Sequence, residues 1–239
     1  MRRSTSVASA VKFNALEADI VEMESQVSIA APADVLWTER LQLQRWEDEH
    51  FEDFLQFMRD PDVIRYIRPH PLSEEMGIEH HARSLEEWDL HGFGKRAVLD
   101  AGTGSWLGFV ELSLVGPGKG CREDDVEIGY FIVPERWGEG LATEAAVAVR
   151  DEAFGRVGLP ELVGRSRIEN TASARVMAKA GFRHVRSYRL GEGVLVDIHR
   201  LSSEEWAERR RGNLLEVGRA PAQAPAREGE RRAEYRENG

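Results

Sequence analysis

The sequence predicts a mixed α/β (α+β) domain with an antiparallel first half. Three observations carry that prediction. Two short runs, "RLQLQRW" and "VEIGYFIV", alternate with a period of two, as strands do, and "KRAVLD" and "SWLGFVELSLV" also read as strands. Longer runs repeat apolar residues at helical spacing, as in "EDEHFEDFLQFMRD", where Phe51, Phe54, Leu55 and Met58 share a face. The order is strand, two helices, three strands, helix, strand, helix, two strands, with no internal repeat.

Residues 1–35 read as an extension. Val11, Leu16, Ile20, Met23 and Val27 keep a rough helical spacing there, and "IAAPAD" breaks it. The domain is expected over residues 36–208, opening on the strand "RLQLQRW". The helix over "EDEHFEDFLQFMRD" stops before Pro61, because a residue preceding proline is pushed out of the helical region. "IRPHPL" is a loop. The next helix starts at Ser73, whose hydroxyl can cap free N–H groups, and closes near Gly92. The turn "AGTG" joins the two strands that follow, and "GPGKGCRED" separates them from "VEIGYFIV". "GLATEAAVAVRDEAFGRVG" is a helix, its connection ended by Leu159-Pro160, and "ELVGRSRI" is a strand. "NTASARVMAKAG" is a short helix, capped at Asn170 or Thr171 and stopped by Gly181. "FRHVRSYRLGEGVLVDIHRL" is a hairpin around Gly191-Glu192-Gly193. "SSEEWAERRR" adds a helical turn or two, with Glu205 and Ser202 or Ser203 as a capping box. Residues 209–239 are rich in Ala, Pro, Arg and Glu. They hold too few apolar residues to order themselves, and a disordered tail is expected.

Composition narrows the function classes. The chain of 239 residues carries 42 acidic and 32 basic side chains, a formal net charge of −10. That balance argues against general nucleic-acid binding, which needs a basic face. It mildly suits a cationic small molecule or a basic protein tail. No apolar run nears the roughly 20 residues of a membrane span. "MRRSTSVASAVKF" lacks the apolar core of a secretory signal. The single cysteine, Cys121, fits a reducing compartment, and a cytoplasmic protein is expected.

"PERWGEGLATEA", Pro134 to Ala145, points to the chemistry. Gly138 and Gly140 remove side chains where backbone must approach a ligand. A helix beginning near Gly140 offers unpaired N–H groups and the positive end of its dipole, and Arg136 adds a charge beside it. Together these describe an anion site suited to a pyrophosphate. A plain strand-to-helix turn also uses glycines, but has no need of Arg136 and Thr143. A dinucleotide fingerprint wants a third glycine where Thr143 stands, and a parallel sheet; only Glu161 lies where it should. A P-loop ends in Gly-Lys-Ser/Thr, whereas "GPGKG" has the lysine without the hydroxyl or a following helix. Both nucleotide motifs are rejected.

These residues resemble a known family. "ERWGEGLATEA" is similar to the Arg/Gln-x-x-Gly-x-Gly/Ala signature of the GNAT superfamily of N-acetyltransferases, and "IENTASARVMAKAGF" to its Asn-x-x-Ser helix ending in Gly-Phe. "TERLQLQRW", "DPDVIRYI", "GFVELSL", "VEIGYFIVPERWGEGLATEA" and "SSEEW" resemble, in the same order, segments of the RimJ/RimL-like branch, from Thr38 to Trp206. That branch acetylates ribosomal-protein N-termini and has many small-molecule relatives. The resemblance implies the GNAT fold: a mixed, mostly antiparallel central sheet of about seven strands flanked by helices, with "YFIV" splayed from "ELVGRSRI" by a bulge. It implies acetyl-CoA (coenzyme A) as donor. The implied acceptor is a primary amine, on a small molecule or a protein N-terminus, that attacks directly in a ternary complex. The backbone of Phe131, Ile132 and Val133 is implied to follow the pantetheine. Arg136, Gly138, Gly140, Ala142 and Thr143 would surround the pyrophosphate, with Trp137, Glu139 and Leu141 between them. Asn170 would hold the pantetheine amide, unless it is simply a cap. Homodimers are common in the branch.

Acetyl transfer needs a neutral amine, an oxyanion donor and a proton source for the leaving thiolate. An alkyl amine is mostly protonated at neutral pH, its pKa being about 10; a carboxylate can accept that proton, directly or through water. Glu127 is the first candidate, a charged residue in the apolar run "VEIGY", where burial would raise its pKa. Pairing with Arg165 or Arg167 is the competing reading. Glu111 in "GFVELSL" is a weaker candidate of the same kind. The superfamily's usual acid is a tyrosine four residues before the glycine of Gly-Phe; here that residue is Met177, which has no proton to give. Ser173, implicated instead in RimL-like members, is the candidate for touching the sulfur, against a plain role bonding a backbone carbonyl. The oxyanion donor is expected to be a backbone N–H near Ile132 or Val133.

His80-His81 reads as a solvated helix face, and no metal is expected. Trp46, Trp88 and Trp106 read as core. Cys121 has no neighbouring histidine to activate it. The resemblance implies that the two early helices and the last hairpin select the acceptor; Glu74, Glu75 and Glu192 there could attract an amine, against a plain role as solvated loop residues. A non-catalytic acyl-CoA-binding regulatory module is the competing function class.

Overall fold

The computed structural model describes residues 34–116, 120–191 and 193–217. The helix expected over residues 11–27, the hairpin tip Glu192 and residues 218–239 of the expected tail lie outside them; residues 209–217, expected to be disordered, are helical instead. Among the described residues, eight strands form one sheet: β1 (Val35–Trp37), β2 (Leu41–Arg45), β3 (Lys95–Asp100), β4 (Trp106–Leu114), β5 (Val126–Ile132), β6 (Glu161–Arg167), β7 (Arg183–Leu190) and β8 (Val194–Ser202). Their order is β1-β2-β3-β4-β5-β6-β8-β7. All neighbours are antiparallel except β5 and β6. The strand beyond the seven expected is β1, three residues that are too short for a period-two signature.

Helices cover both faces, and the strand alternation decides which side chain meets which layer. Helices α1 (Phe51–Phe57), α2 (Pro61–Ile64) and α3 (Glu74–His91) lie on one side; α4 (Leu141–Glu152) and α5 (Thr171–Lys179) lie on the other. In β4, Phe109 joins Trp46, Phe54, Phe57 and Trp88 under the first group. Val110 and Leu112 instead meet Leu141, Ala145 and Val149 of α4. Each fully buried leucine of this kind contributes about 1.5–3 kcal/mol.

The caps fall where the sequence places them. Ser73 accepts from the Met76 N–H, and Gly92 closes α3 in a left-handed conformation. Ser202 and Glu205 exchange hydrogen bonds at the start of α6 (Ser203–Val217), which runs further than the turn or two expected. Pro61 differs from expectation. It follows the break after α1 but opens α2, with Asp60 accepting from the Asp62 N–H, since a helix's first position needs no N–H.

The feature that positions the site is between β5 and β6. They pair only through Val126↔Leu162 and Glu127↔Val163. Beyond Glu127 the strands part, leaving one edge of β5 without a neighbour. The expected bulge in β5 is absent: its register with β4 runs unbroken from Leu114↔Val126 to Gly108↔Ile132. Register breaks lie elsewhere, at Val98/Leu99 and at His184/Arg186. Two twisted strands joined only at their base diverge without one.

Candidate active site

At the top of β5 the chain makes a short 3-10 turn, Pro134–Arg136, and passes through Gly138 (φ 84°) and Gly140 (φ 86°) into α4. A side chain at such φ costs about 1–2 kcal/mol, so the geometry, not crowding, asks for glycine. A Cβ on Gly138 would meet nothing within 4 Å, and one on Gly140 only Arg40 Nη2, at 3.7 Å. From Gly138 to Thr143, no N–H donates to a protein acceptor among the described residues. Six adjacent unpaired donors leading into a helix start make the kind of arrangement, a cradle, that can receive an anion. Leu141 is 1% exposed and pins the helix start in the core, so it offers the cradle backbone alone. Ala142 and Thr143 are half-buried beside it.

Sequence reasoning missed what braces this cradle. Arg40 donates from Nη1 to the Glu139 carbonyl (2.9 Å) and from Nε to Glu144 (2.7 Å). Thr38 donates to the other oxygen of Glu144 at 2.6 Å. Burial pushes the Glu144 carboxyl up, but Thr38 and Arg40 outweigh it and hold the group below its ordinary value. "TER" and "ATEA" are thus two halves of one clamp, and their opposite charges were the available signal. Arg136 lies by the cradle with its charge already shared. Its Nε faces both Glu139 oxygens, at 2.9 and 3.0 Å, and its Nη1 faces Asp100 at 3.3 Å. A groove of about 510 Å³, lined by Arg40, Gly140, Thr143 and Lys179, runs alongside.

The free edge of β5 leads down from the cradle. Val133 N–H donates to the Leu107 carbonyl at 2.8 Å. Backbone groups alternate sides in antiparallel pairing, so Phe131 and Val133 face β4, while Tyr130 and Ile132 face the gap. The expectation for Val133 is therefore corrected: its N–H is taken, and that of Ile132 is the one turned to the opening. The Ile132 carbonyl accepts from the Trp137 indole at 2.6 Å, which folds that half-exposed ring over the mouth. The Phe131 ring points to the other face and stacks on Phe109 at 4.5 Å. Asn170 caps α5, accepting from the Ser173 N–H at 3.1 Å. Tyr130, unnoticed in the sequence, crosses to the same helix. Its hydroxyl donates to the Ser173 carbonyl at 2.9 Å and lies 2.8 Å from Ser173 Oγ. Burial pushes the Tyr130 phenol well above its ordinary value. Met177 is core, 2% exposed.

The two carboxylates differ in their surroundings. Glu127 makes a two-pronged ion pair with Arg165, at 2.9 and 2.5 Å, so both its oxygens are occupied. Glu111 sits opposite Lys95 on one side and Gly129 on the other. A Cβ on Gly129 would stand 3.2 Å from Glu111 Cγ and 3.3 Å from Oε1. The missing side chain gives the carboxylate its place over β5, beside the gap. Lys95 Nζ is 3.6 Å from Glu111 and lies 4.3, 4.8 and 5.0 Å from the ring centres of Phe54, Phe109 and Trp46. Burial pushes this ammonium down, and Glu111 and Glu87 restore part of the shift.

His81 accepts from the Trp46 indole and pairs with Asp48 at 2.9 Å. Among the described residues no group of three His, Cys, Asp or Glu could hold a metal. Burial pushes the Cys121 thiol up, away from thiolate. Glu74 and Glu75 are exposed at the start of α3. No helix among the described residues is long and apolar enough to cross a membrane.

Residues 40–183 match the acetyltransferase (GNAT) domain family. The FsC-acetyl coenzyme A-N(2)-transacetylase of Aspergillus fumigatus is 32% identical over 165 residues, covering 64% of this chain and 66% of that protein. The uncharacterized N-acetyltransferase p20 of Bacillus licheniformis is 25% identical over 173 residues, 71% of this chain and 95% of p20. A GNAT-family acetyltransferase structure from Bordetella pertussis superposes with a TM-score of 0.64 at 22% identity, over 71% of this chain and all of that one. The chain belongs to the GNAT acetyltransferase family, whose acyl donor is acetyl-CoA.

Proposed function

We propose that this protein transfers the acetyl group of acetyl-CoA to a primary amine, on a small molecule or a protein N-terminus, by direct attack in a ternary complex. The carrying observation is the gap between β5 and β6, which runs from a free strand edge to the unpaired N–H groups of Gly138–Thr143. The edge groups of Tyr130 would bond the pantetheine amides as a neighbouring strand would, and Asn170 would take part from the start of α5. Arg136, Gly138, Gly140, Ala142 and Thr143 would surround the pyrophosphate. The sequence resemblance to the RimJ/RimL-like branch supports a nitrogen acceptor, as does the relative named an N(2)-transacetylase.

Glu111 is the proton acceptor in this reading. Its carboxylate is partly exposed on the acceptor side of β5 and shares one buried cation, whereas Glu127 is held at both oxygens. Once the amine is neutral, its nitrogen attacks the acetyl carbon while Ile132 N–H faces the developing oxyanion. A thermal-shift comparison of acetyl-CoA with NAD, then thiol release across a panel of amines, tests the proposal. Stabilisation by acetyl-CoA and release with some amine support it. Binding without release from any amine favours a non-catalytic acyl-CoA module, and stabilisation by NAD alone rejects both.

A further inference from the structure

Beside the gap between β5 and β6, a pair of hydroxyls bridges β5 to α5. Tyr130 stands midway along the free edge of β5, and its Oη reaches both the carbonyl and the Oγ of Ser173. Ser173 lies in the first turn of α5, three residues past its cap Asn170, where the positive end of the helix dipole falls. Burial pushes the Tyr130 phenol up, and its hydrogen bond with Ser173 restores part of the shift.

Two hydrogen-bond arrangements are open to this pair. In one, Tyr130 donates to the carbonyl and Ser173 Oγ–H donates to the phenol oxygen, so both protons stay inside the protein. In the other, Tyr130 donates to Ser173 Oγ, and the serine hydrogen is free to point into the gap. The second gives up a bond to a carbonyl, so it prevails when an anion stands there to accept a stronger one.

We propose that Tyr130 is a positioning residue for acetyl transfer, turning Ser173 Oγ–H toward the departing sulfur so that the pair steadies the thiolate by hydrogen bonding. This rests on the acetyl-CoA reading above. The amine nitrogen bonds to the acetyl carbon as the carbon–sulfur bond breaks, and that electron pair goes to sulfur. The proton of the amine goes to Glu111 and then to solvent. The serine proton stays on oxygen. A thiol's ordinary pKa of about 8.5 lies below that of a phenol, about 10, and burial pushes Tyr130 further up. The sulfur takes its proton from solvent. Met177, which has none to give, fills the place of the superfamily's usual acid.

The test is to bind CoA to the wild type, Tyr130→Phe and Ser173→Ala, and to titrate the bound thiol by its ultraviolet thiolate absorbance. Calorimetry follows binding in parallel. The bound thiol pKa should be about one unit lower in the wild type than in either variant, a tenfold difference in thiolate. In both variants kcat should fall about tenfold with little change in KM for acetyl-CoA. Equal thiol pKa values in all three proteins overturn the proposal. A shift in Ser173→Ala alone overturns the role of Tyr130. Failure of the wild type to bind CoA overturns the acetyl-CoA reading itself, and this proposal with it.

Discussion

At the scale of single residues, the assignment of roles turns on what each carboxylate already touches. Glu127 bonds Arg165 through both oxygens, while Glu111 is anchored by a single buried ammonium. Glu111→Gln should lower kcat/KM about 100-fold, within the range for losing a general base. Glu127→Gln should leave kcat/KM within a few-fold but cost about 2 kcal/mol of stability, because Arg165 keeps a half-buried charge with a weaker partner. Thiol-release kinetics and denaturant melts of the two variants separate these outcomes. The sequence made both glutamates visible as charges within apolar runs. It could not rank them, because the ranking depends on partners in other strands: Arg165 in β6 for one, Lys95 and Gly129 for the other. Tyr130 was hidden for a similar reason. In "VEIGY" it is one more strand residue, and its hydroxyl acquires meaning only when α5 is folded against β5.

At the scale of elements, the cradle depends on two left-handed glycines and on the clamp behind them. Gly140→Ala should cost about 1–2 kcal/mol and weaken CoA binding about tenfold or more, as the amides turn away from a common point. Glu144→Ala should act at a distance. It frees Arg40 and Thr38 from the first turn of α4, so it should lower the melting temperature and shrink the stabilisation given by CoA. Melts with and without CoA check both; an unchanged CoA shift in either variant counts against the cradle. The long elements were legible because their patterns repeat and their caps are explicit, as with Ser73 and Gly92 for α3. The short ones, β1 and α2, carry too few residues to show a period. The clamp joins residues 104 positions apart, a pairing that strand and helix patterns do not encode.

For the whole molecule, the buried histidines and carboxylates set opposite pH windows. Burial disfavours the imidazolium forms of His50 and His199, so both have lowered pKa values in the fold. As pH falls below their ordinary 6.5, the unfolded chain takes up these protons first. Their contribution is complete above 6.5 and shrinks below it, so the melting temperature should drop between about pH 7.5 and pH 5.5. An equal or higher melting temperature at the lower pH contradicts this. Asp125 works in a separate window. Burial pushes its carboxyl up, but Arg200 and the Arg122 N–H bring it down to about 2. Its contribution holds above 3.8 and is lost only as pH falls toward 2. Mild acid should therefore weaken the fold through histidine before the carboxylate pairs are touched.

Residue-resolved hydrogen exchange, with and without saturating CoA, tests most directly whether the splayed strands and the cradle hold the coenzyme. The amides of Gly138–Thr143, with those of Tyr130 and Ile132, should slow by about tenfold or more when CoA is bound, while the β7–β8 hairpin exchanges as before. Unchanged exchange at those amides under saturating CoA, or protection confined to another surface, would contradict it.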